Sequence, residues 1–349
     1  MSLDRRALLA SFTGAASFLA SGLAALAQGK QLKLLLNTSF SGPVAFFLLA
    51  EDKGYLRNEG LTIAFSTGGG AAVIVPQVRH GSYDLGYGDI NALIERIANT
   101  PPNEGPVAVY TTFNRVPFTI AVPAKSQIKL PKDFEGKLIV GHPNDAALVT
   151  FDMLAAAADV NPAKVTIERS SSSMGSQVAD MLSGRGADGV FGFVNTIVAA
   201  VAPLGIDARK ELRFINYSDF VPDMYGNTLF VTRELYRSDK TAIKGLVRAF
   251  NRGLADTIDD PDSAIAALLK RGAGRQSIDR ARLVGTLHSE MAHPEGKRIG
   301  IGDMDEARLT RLIGLIVRTK GLPRTPSVSE VFDRSFLPPD REKIRSLGR

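Results

Sequence analysis

With 349 residues, of which 44% are hydrophobic and 22% charged, the chain can bury one large core or two medium ones, and its composition is that of neither a disordered nor a membrane-spanning protein. Its formal charge of +6 is modest and its Lys and Arg are scattered, which argues against nucleic-acid binding. The absence of cysteine excludes disulfides, thiolate nucleophiles, iron–sulfur clusters and cysteine-type zinc sites.

The first 27 residues differ in kind from the rest. Asp4-Arg5-Arg6 opens a short basic region, 7–25 is small and apolar, and Ala25-Leu26-Ala27 has the small-x-small pattern of a cleavage site. This predicts an export signal over 1–27, a mature chain from Gln28 and a periplasmic location. The paired arginines also resemble a twin-arginine signal, and an uncleaved N-terminal membrane helix is the alternative. Such compartments are poor in ATP and reduced nicotinamides, which counts against a nucleotide-dependent enzyme. Beyond the signal, strands are predicted at 32–36, 61–65, 85–87 and 107–110, with helices at 44–53, 71–80 and 90–98 between them; Pro76 is a blemish in the second helix. The rhythm repeats, with strands at 118–122, 137–140, 165–168, 189–193 and 212–217 and helices at 146–157, 177–183 and 196–202. A strand at 229–232 leads away, and helices follow at 241–257, 261–270, 278–291 and 305–319. This order predicts an α/β protein of two units, each with a mainly parallel sheet, and a cleft beyond the C-terminal ends of the strands. Helix starts there offer free N–H groups to anions or polar acceptors.

Thr67-Gly68-Gly69-Gly70-Ala71-Ala72 closes the second strand. A Walker loop needs Lys and then Ser or Thr after its glycines, and the dinucleotide fingerprint needs spaced glycines, so neither matches. Close approach explains the run better: without a Cβ, backbone N–H groups come within reach of a bound molecule. A tight strand–helix turn with no ligand is the plain alternative. Loops of the same character are 37–43 (NTSFSGP), 86–89 (GYGD), 141–145 (GHPND) and 191–195 (FGFVN), all at strand ends.

Two stretches are the most specific, AEDKGYLRNEGLTI (50–63) and VRHGSYDLGYGD (78–89), and 225–269 adds a third. On these, the chain resembles the periplasmic substrate-binding proteins of ABC importers, in the branch of thiamine-pyrimidine (NMT1/THI5-like) and alkanesulfonate (SsuA-like) binders. The resemblance implies a type II periplasmic-binding-protein fold, with two α/β lobes, a ligand cleft, and two crossovers near 119–123 and 219–228. Lobe 1 would take 28–120, lobe 2 would take 121–222, and 223–349 would return to lobe 1 and end in a helical tail. It further implies a monomer, without cofactor or metal, that captures a small molecule and delivers it to an ABC permease. By residue, Asn37, Thr38 and Ser39 match the first ligand loop, and Gly68, Gly69 and Gly70 the glycine turn. Tyr87 and Asp89 match the loop after the third strand, Asn144 and Asp145 a helix start in lobe 2, and Phe193 and Asn195 a later strand end. The thiamine-pyrimidine binders often carry a Trp in the first loop; this chain has none, and Phe40 is the nearest aromatic. The Cys-rich segment of pyrimidine-making enzymes on a similar fold is also missing.

Several residues read singly leave a choice open. Tyr87 stacks on a flat ligand or packs behind it. Asp89 accepts from a ligand or caps the helix at Ile90. Tyr225-Gly226-Asn227 touches ligand or packs at a hinge. Arg115 pairs with a carboxylate, sulfonate or phosphate, or is solvated. The four histidines lack metal-ligand spacing, and no serine stands in a nucleophile elbow. The aromatic candidates favour a pyrimidine-like heterocycle or aromatic acid; the glycine turn, helix starts and Arg115 favour an alkanesulfonate or other small anion. A ligand-sensing module for a membrane receptor and a secreted enzyme are the remaining alternatives.

Overall fold

Leucine-rich and β-branched runs bounded by turns become strands. The computed structural model describes residues 29–79 and 81–347, so the expected export signal lies outside it. Within the described residues there are ten strands: β1 (Lys30–Leu36), β2 (Leu61–Thr67), β3 (Leu85–Asp89), β4 (Val107–Thr111), β5 (Phe118–Pro123), β6 (Leu138–Gly141), β7 (Thr166–Arg169), β8 (Gly189–Phe193), β9 (Leu212–Asn216) and β10 (Asn227–Val231). They form two five-stranded sheets, ordered β2-β1-β3-β10-β4 and β7-β6-β8-β5-β9. Each sheet is mixed rather than mainly parallel: β10 runs antiparallel to β3 and β4, and β5 runs antiparallel to β8 and β9. Each of these two strands is the first that the chain forms after crossing between the lobes, and each lies between two strands that run the other way.

The first crossing lies at 112–117, before the expected 119–123, because Phe118–Pro123 is itself a strand paired on both sides. The second lies between β9 and β10, at 217–226. Helices start where a short polar side chain replaces the missing helical partner. Asp89, Asp145, Ser173, Asp239, Asp260 and Asp305 all accept from backbone N–H groups of the first turn that follows. The helix expected at 146–157 breaks at Thr150, whose hydroxyl donates to the Ala146 carbonyl, into Ala146–Val149 and Phe151–Ala157. The helix expected at 278–291 runs as Gln276–Thr286 and then widens into a π turn, Leu287–Met291.

Three apolar clusters hold the fold. One packs helices Ala45–Asp52 and Lys240–Asp259 on the first sheet, with the Phe47 and Phe250 rings 4.6 Å apart. Another fills the outer side of the second sheet with Val178, Met181, Val190 and Ile197. The third joins the lobes, bringing Ile90 and Ile94 together with Phe151 and Leu154, and with Leu309, Leu312 and Ile316 of helix Glu306–Lys320. Burying each such side chain contributes about 1.5–3 kcal/mol, so this bridging helix belongs to both lobes rather than only to the first.

Candidate functional site

The C-terminal ends of β1, β2, β6 and β8 point into one interlobe cavity of about 250 Å³. From lobe 1 come Asn37, Thr38 and Ser39 after β1, and Gly68, Gly69 and Gly70 after β2. From lobe 2 come His142, Asn144 and Asp145 after β6, and Phe193, Asn195 and Thr196 at the end of β8 and start of helix Val194–Val201. The walls touch: Asn144 Nδ2 donates to the Gly69 carbonyl at 3.1 Å. Gly70 has φ +116°, and a Cβ there would lie 2.7 Å from the Asn144 carbonyl oxygen. At Gly68 a Cβ would lie 2.4 Å from the Leu36 carbonyl oxygen. The glycine run therefore serves close approach, in part of the chain's own opposite wall.

The remaining wall is the region 282–290. Arg282, Thr286 and Glu290 line the cavity at four-residue spacing, which sets them along one side of the helix and its π extension. The Arg282 guanidinium lies 3.8 Å from Asp279 and 3.4 Å from the Thr196 hydroxyl, while its buried Nε has no partner. Asp279 is engaged elsewhere, accepting from the Gly42 N–H at 2.9 Å and the Arg275 N–H at 2.7 Å. Burial pulls Arg282 below the usual arginine range, partly offset by Asp279. Across the cleft, Asn195 Nδ2 donates to both Glu290 carboxyl oxygens, at 2.8 and 3.0 Å. Burial pushes the Glu290 carboxyl up to about 8. Asp145 caps its helix through the Ala147 N–H at 2.8 Å, and burial raises it to about 6. Phe113, Pro117 and Phe193 give apolar surface, and Asn37 leaves Oδ1 unpartnered. A cavity of this kind, apolar with convergent amides and one guanidinium, suits a small molecule with an acceptor-rich group.

Residues 42–264, more than half of the chain, match the family described as NMT1/THI5 like. The chain belongs to that family. A search of curated protein sequences finds no match. Among solved structures, the alkanesulfonate-binding protein SsuA from Xanthomonas axonopodis pv. citri bound to MOPS superposes with a TM-score of 0.64 at 16% identity, covering 87% of this chain and 98% of that one. The periplasmic aliphatic sulphonate binding protein SsuA from Escherichia coli gives 0.64 at 15% identity, over 89% and 94%. The desulfurization enzyme DSZB in complex with biphenyl-2-sulfinic acid gives 0.57 at 13% identity, over 89% and 97%. At such identities the likeness is one of fold, the two-lobed type II periplasmic-binding-protein architecture.

Five of the residues expected at the site of this NMT1/THI5-like chain stand away from the cavity. Tyr87 is fully buried beneath the first sheet, its hydroxyl 2.7 Å from that of Thr112 and its ring edge-on to Phe47. Asp89 is buried and caps the helix Ile90–Ala98, accepting from the Asn91 and Ala92 N–H groups. Arg115 is exposed, and its backbone N–H donates to the Glu290 carbonyl. Tyr225 is buried at the second crossing, where its hydroxyl donates to Glu295 at 2.6 Å and the Arg308 guanidinium lies over its ring. Phe40 lines a second, outer cavity of about 510 Å³, which shares Ser39, Thr196 and Arg282 with the inner one. The residues missed from sequence include Val44, Phe113, Pro117, Arg282, Thr286 and Glu290, whereas Pro43, His142 and Asn227 lie in stretches expected near the cleft. The 282, 286, 290 stripe was the available signal, polar residues recurring every four positions in a helical segment.

Proposed function

We propose that this protein is an extracytoplasmic solute-binding protein that holds a small organic anion of the sulfonate or sulfinate kind in its interlobe cavity and delivers it to an ABC permease. The observation that carries the reading is Arg282, a guanidinium on the cavity wall whose buried Nε has no partner and whose ion-pair partner, Asp279, stands 3.8 Å away and is shared with two backbone N–H groups. Such a group favours an oxyanion, and hydrogen bonds to a charged partner contribute about 1.5–3 kcal/mol. The structural relatives, an alkanesulfonate-binding protein, an aliphatic sulphonate binding protein and a complex with a sulfinic acid, support the anion over a neutral pyrimidine-like heterocycle. Phe113 and Phe193 leave room for an aromatic anion as well as an aliphatic one. A first lobe that ends at the 112–117 crossing rather than at 120, a second lobe to 222, a return to the first from 223 with the helix Glu306–Lys320 shared, an export signal over 1–27 and a monomeric state complete the proposal. Binding without chemistry is the reading that the likeness to the sulfonate-binding proteins supports.

The test is calorimetry of the mature protein against ethanesulfonate, benzenesulfonate, benzoate and an aminopyrimidine. A sulfonate binds, and Arg282→Gln weakens it by about 10- to 100-fold. Heat from the aminopyrimidine alone would overturn the anion reading.

A further inference from the structure

Arg282 is the cation on the cavity wall, but Glu290 is on the same wall, two helical turns further on. Asp279 already stands 3.8 Å from Arg282, so an ionised Glu290 would make this wall net negative and oppose an anion. Glu290 is only 3% exposed. Among the described residues, none forms an ion pair with it; the neutral amide of Asn195, from the opposite lobe, serves both its oxygens. An isolated buried carboxylate is costly, and an amide supplies far less compensation than a cation does. The groups facing it do not change that balance. Arg115, on the first crossing, is exposed and acts at a distance. Tyr87 on β3 is buried and neutral, its hydroxyl well above its ordinary value. Arg282 shares the wall with Asp279 beside it, and Asp145 and His142 stand on the opposite wall. Beyond the π turn, Glu295 is committed to Arg308 at 2.9 Å, with His293 capping the next helix.

We propose that Glu290 is a specificity-determining residue, held protonated when the Asn195 lobe closes on it, so that no second carboxylate joins Asp279 against Arg282 and an anion enters together with a proton. This rests on the anion reading above. It makes the site's preference for anions depend on pH: protonated Glu290 leaves Arg282 facing Asp279 alone, and ionised Glu290 adds a second negative charge to the wall. Burial, which raises this carboxyl to about 8, places the change within an accessible range.

The experiment measures ethanesulfonate affinity by calorimetry from pH 6 to 9.5, in pairs of buffers with different heats of ionisation. In the wild type the affinity falls by up to about tenfold per pH unit as Glu290 ionises, and the buffer dependence reports uptake of a proton. Glu290→Gln, which cannot ionise, flattens the profile and abolishes the uptake. A wild-type profile without proton uptake, or a fall that persists in Glu290→Gln, overturns the proposal while leaving the anion reading intact. Failure of any sulfonate to bind at pH 6 overturns the anion reading and the linkage that depends on it. The melting temperature without ligand gives a separate check: wild type drops relative to Glu290→Gln between pH 6 and 9. A constant difference overturns protonation of Glu290 whatever the ligand.

Discussion

At Gly70 the backbone φ of +116° and the facing Asn144 leave no space for a side chain while the cavity walls are in contact. Gly70→Ala therefore carries two costs: about 1–2 kcal/mol for an L-residue in that backbone region, present whether or not the lobes meet, and a clash that exists only when they meet. The variant is expected to fold, to show a larger radius in small-angle scattering with ligand present, and to bind at least tenfold more weakly. Equal affinity and equal compaction would show that the turn has slack. The three glycines were legible in sequence as a place of close approach, but their neighbour was not, since Asn144 lies 74 positions away in the chain. Tyr87 and Asp89 show the same limit from the other side. Both stand in a stretch that reads as a strand-end loop but is the strand β3 itself, where Tyr87 turns towards Phe46 and Phe47 and Asp89 is spent on the helix that follows. Which side of a strand faces a ligand is set by the layer packed on the other side.

The helix Glu306–Lys320 does more than cover the sheets. Its Arg308 guanidinium donates to the Asn114 carbonyl of the first crossing at 2.9 Å and to the Met224 carbonyl of the second at 2.8 Å. Glu295 balances the charge at 2.9 Å, and the Tyr225 ring stacks against it at 3.9 Å. One buried arginine thus ties both interlobe passages to one helix. Replacing it with methionine leaves Glu295 buried without its cation, and a broken buried pair of this kind costs about 3–5 kcal/mol. Arg308→Met should lower the urea midpoint accordingly, and the double variant Arg308→Met with Glu295→Gln should recover a good part of the loss. No recovery would mean that the carbonyl contacts, not the ion pair, hold the crossings. In sequence this helix was visible as an element, from its periodicity and its Asp305 cap. Its role was not, because the carbonyls it binds belong to two segments without any pattern. Tyr225, expected near ligand or hinge, takes the hinge position for that reason.

Among the described residues, three carboxyls that are buried or partly buried sit above their ordinary range: Glu290 at about 8, Asp89 at about 7 and Asp145 at about 6, each through loss of solvent. A folded value raised above the unfolded one means that the stabilisation is complete below the ordinary carboxyl range and lost as pH rises through 6 to 8. Groups held low, such as Glu135 at about 2 through the Asn161 N–H and Lys132, are already ionised across that window and do not oppose the trend there. The urea midpoint of the ligand-free protein should therefore fall from pH 5 to pH 8.5, each group contributing up to about 1.4 kcal/mol per pH unit. A midpoint that rises would mean that these carboxyls are hydrated in solution. The order of strands and helices, the two-lobed α/β class and the strand-end loops were determined by the sequence itself, because periodicity, caps and turn residues act over a few positions. The tertiary structure decided that Arg282 and not Arg115 faces the cavity, and that β5 and β10 run against their neighbours. Both depend on where the chain recrosses between lobes, so that residues about ninety positions apart, such as Asn195 and Glu290, come into hydrogen-bonding contact.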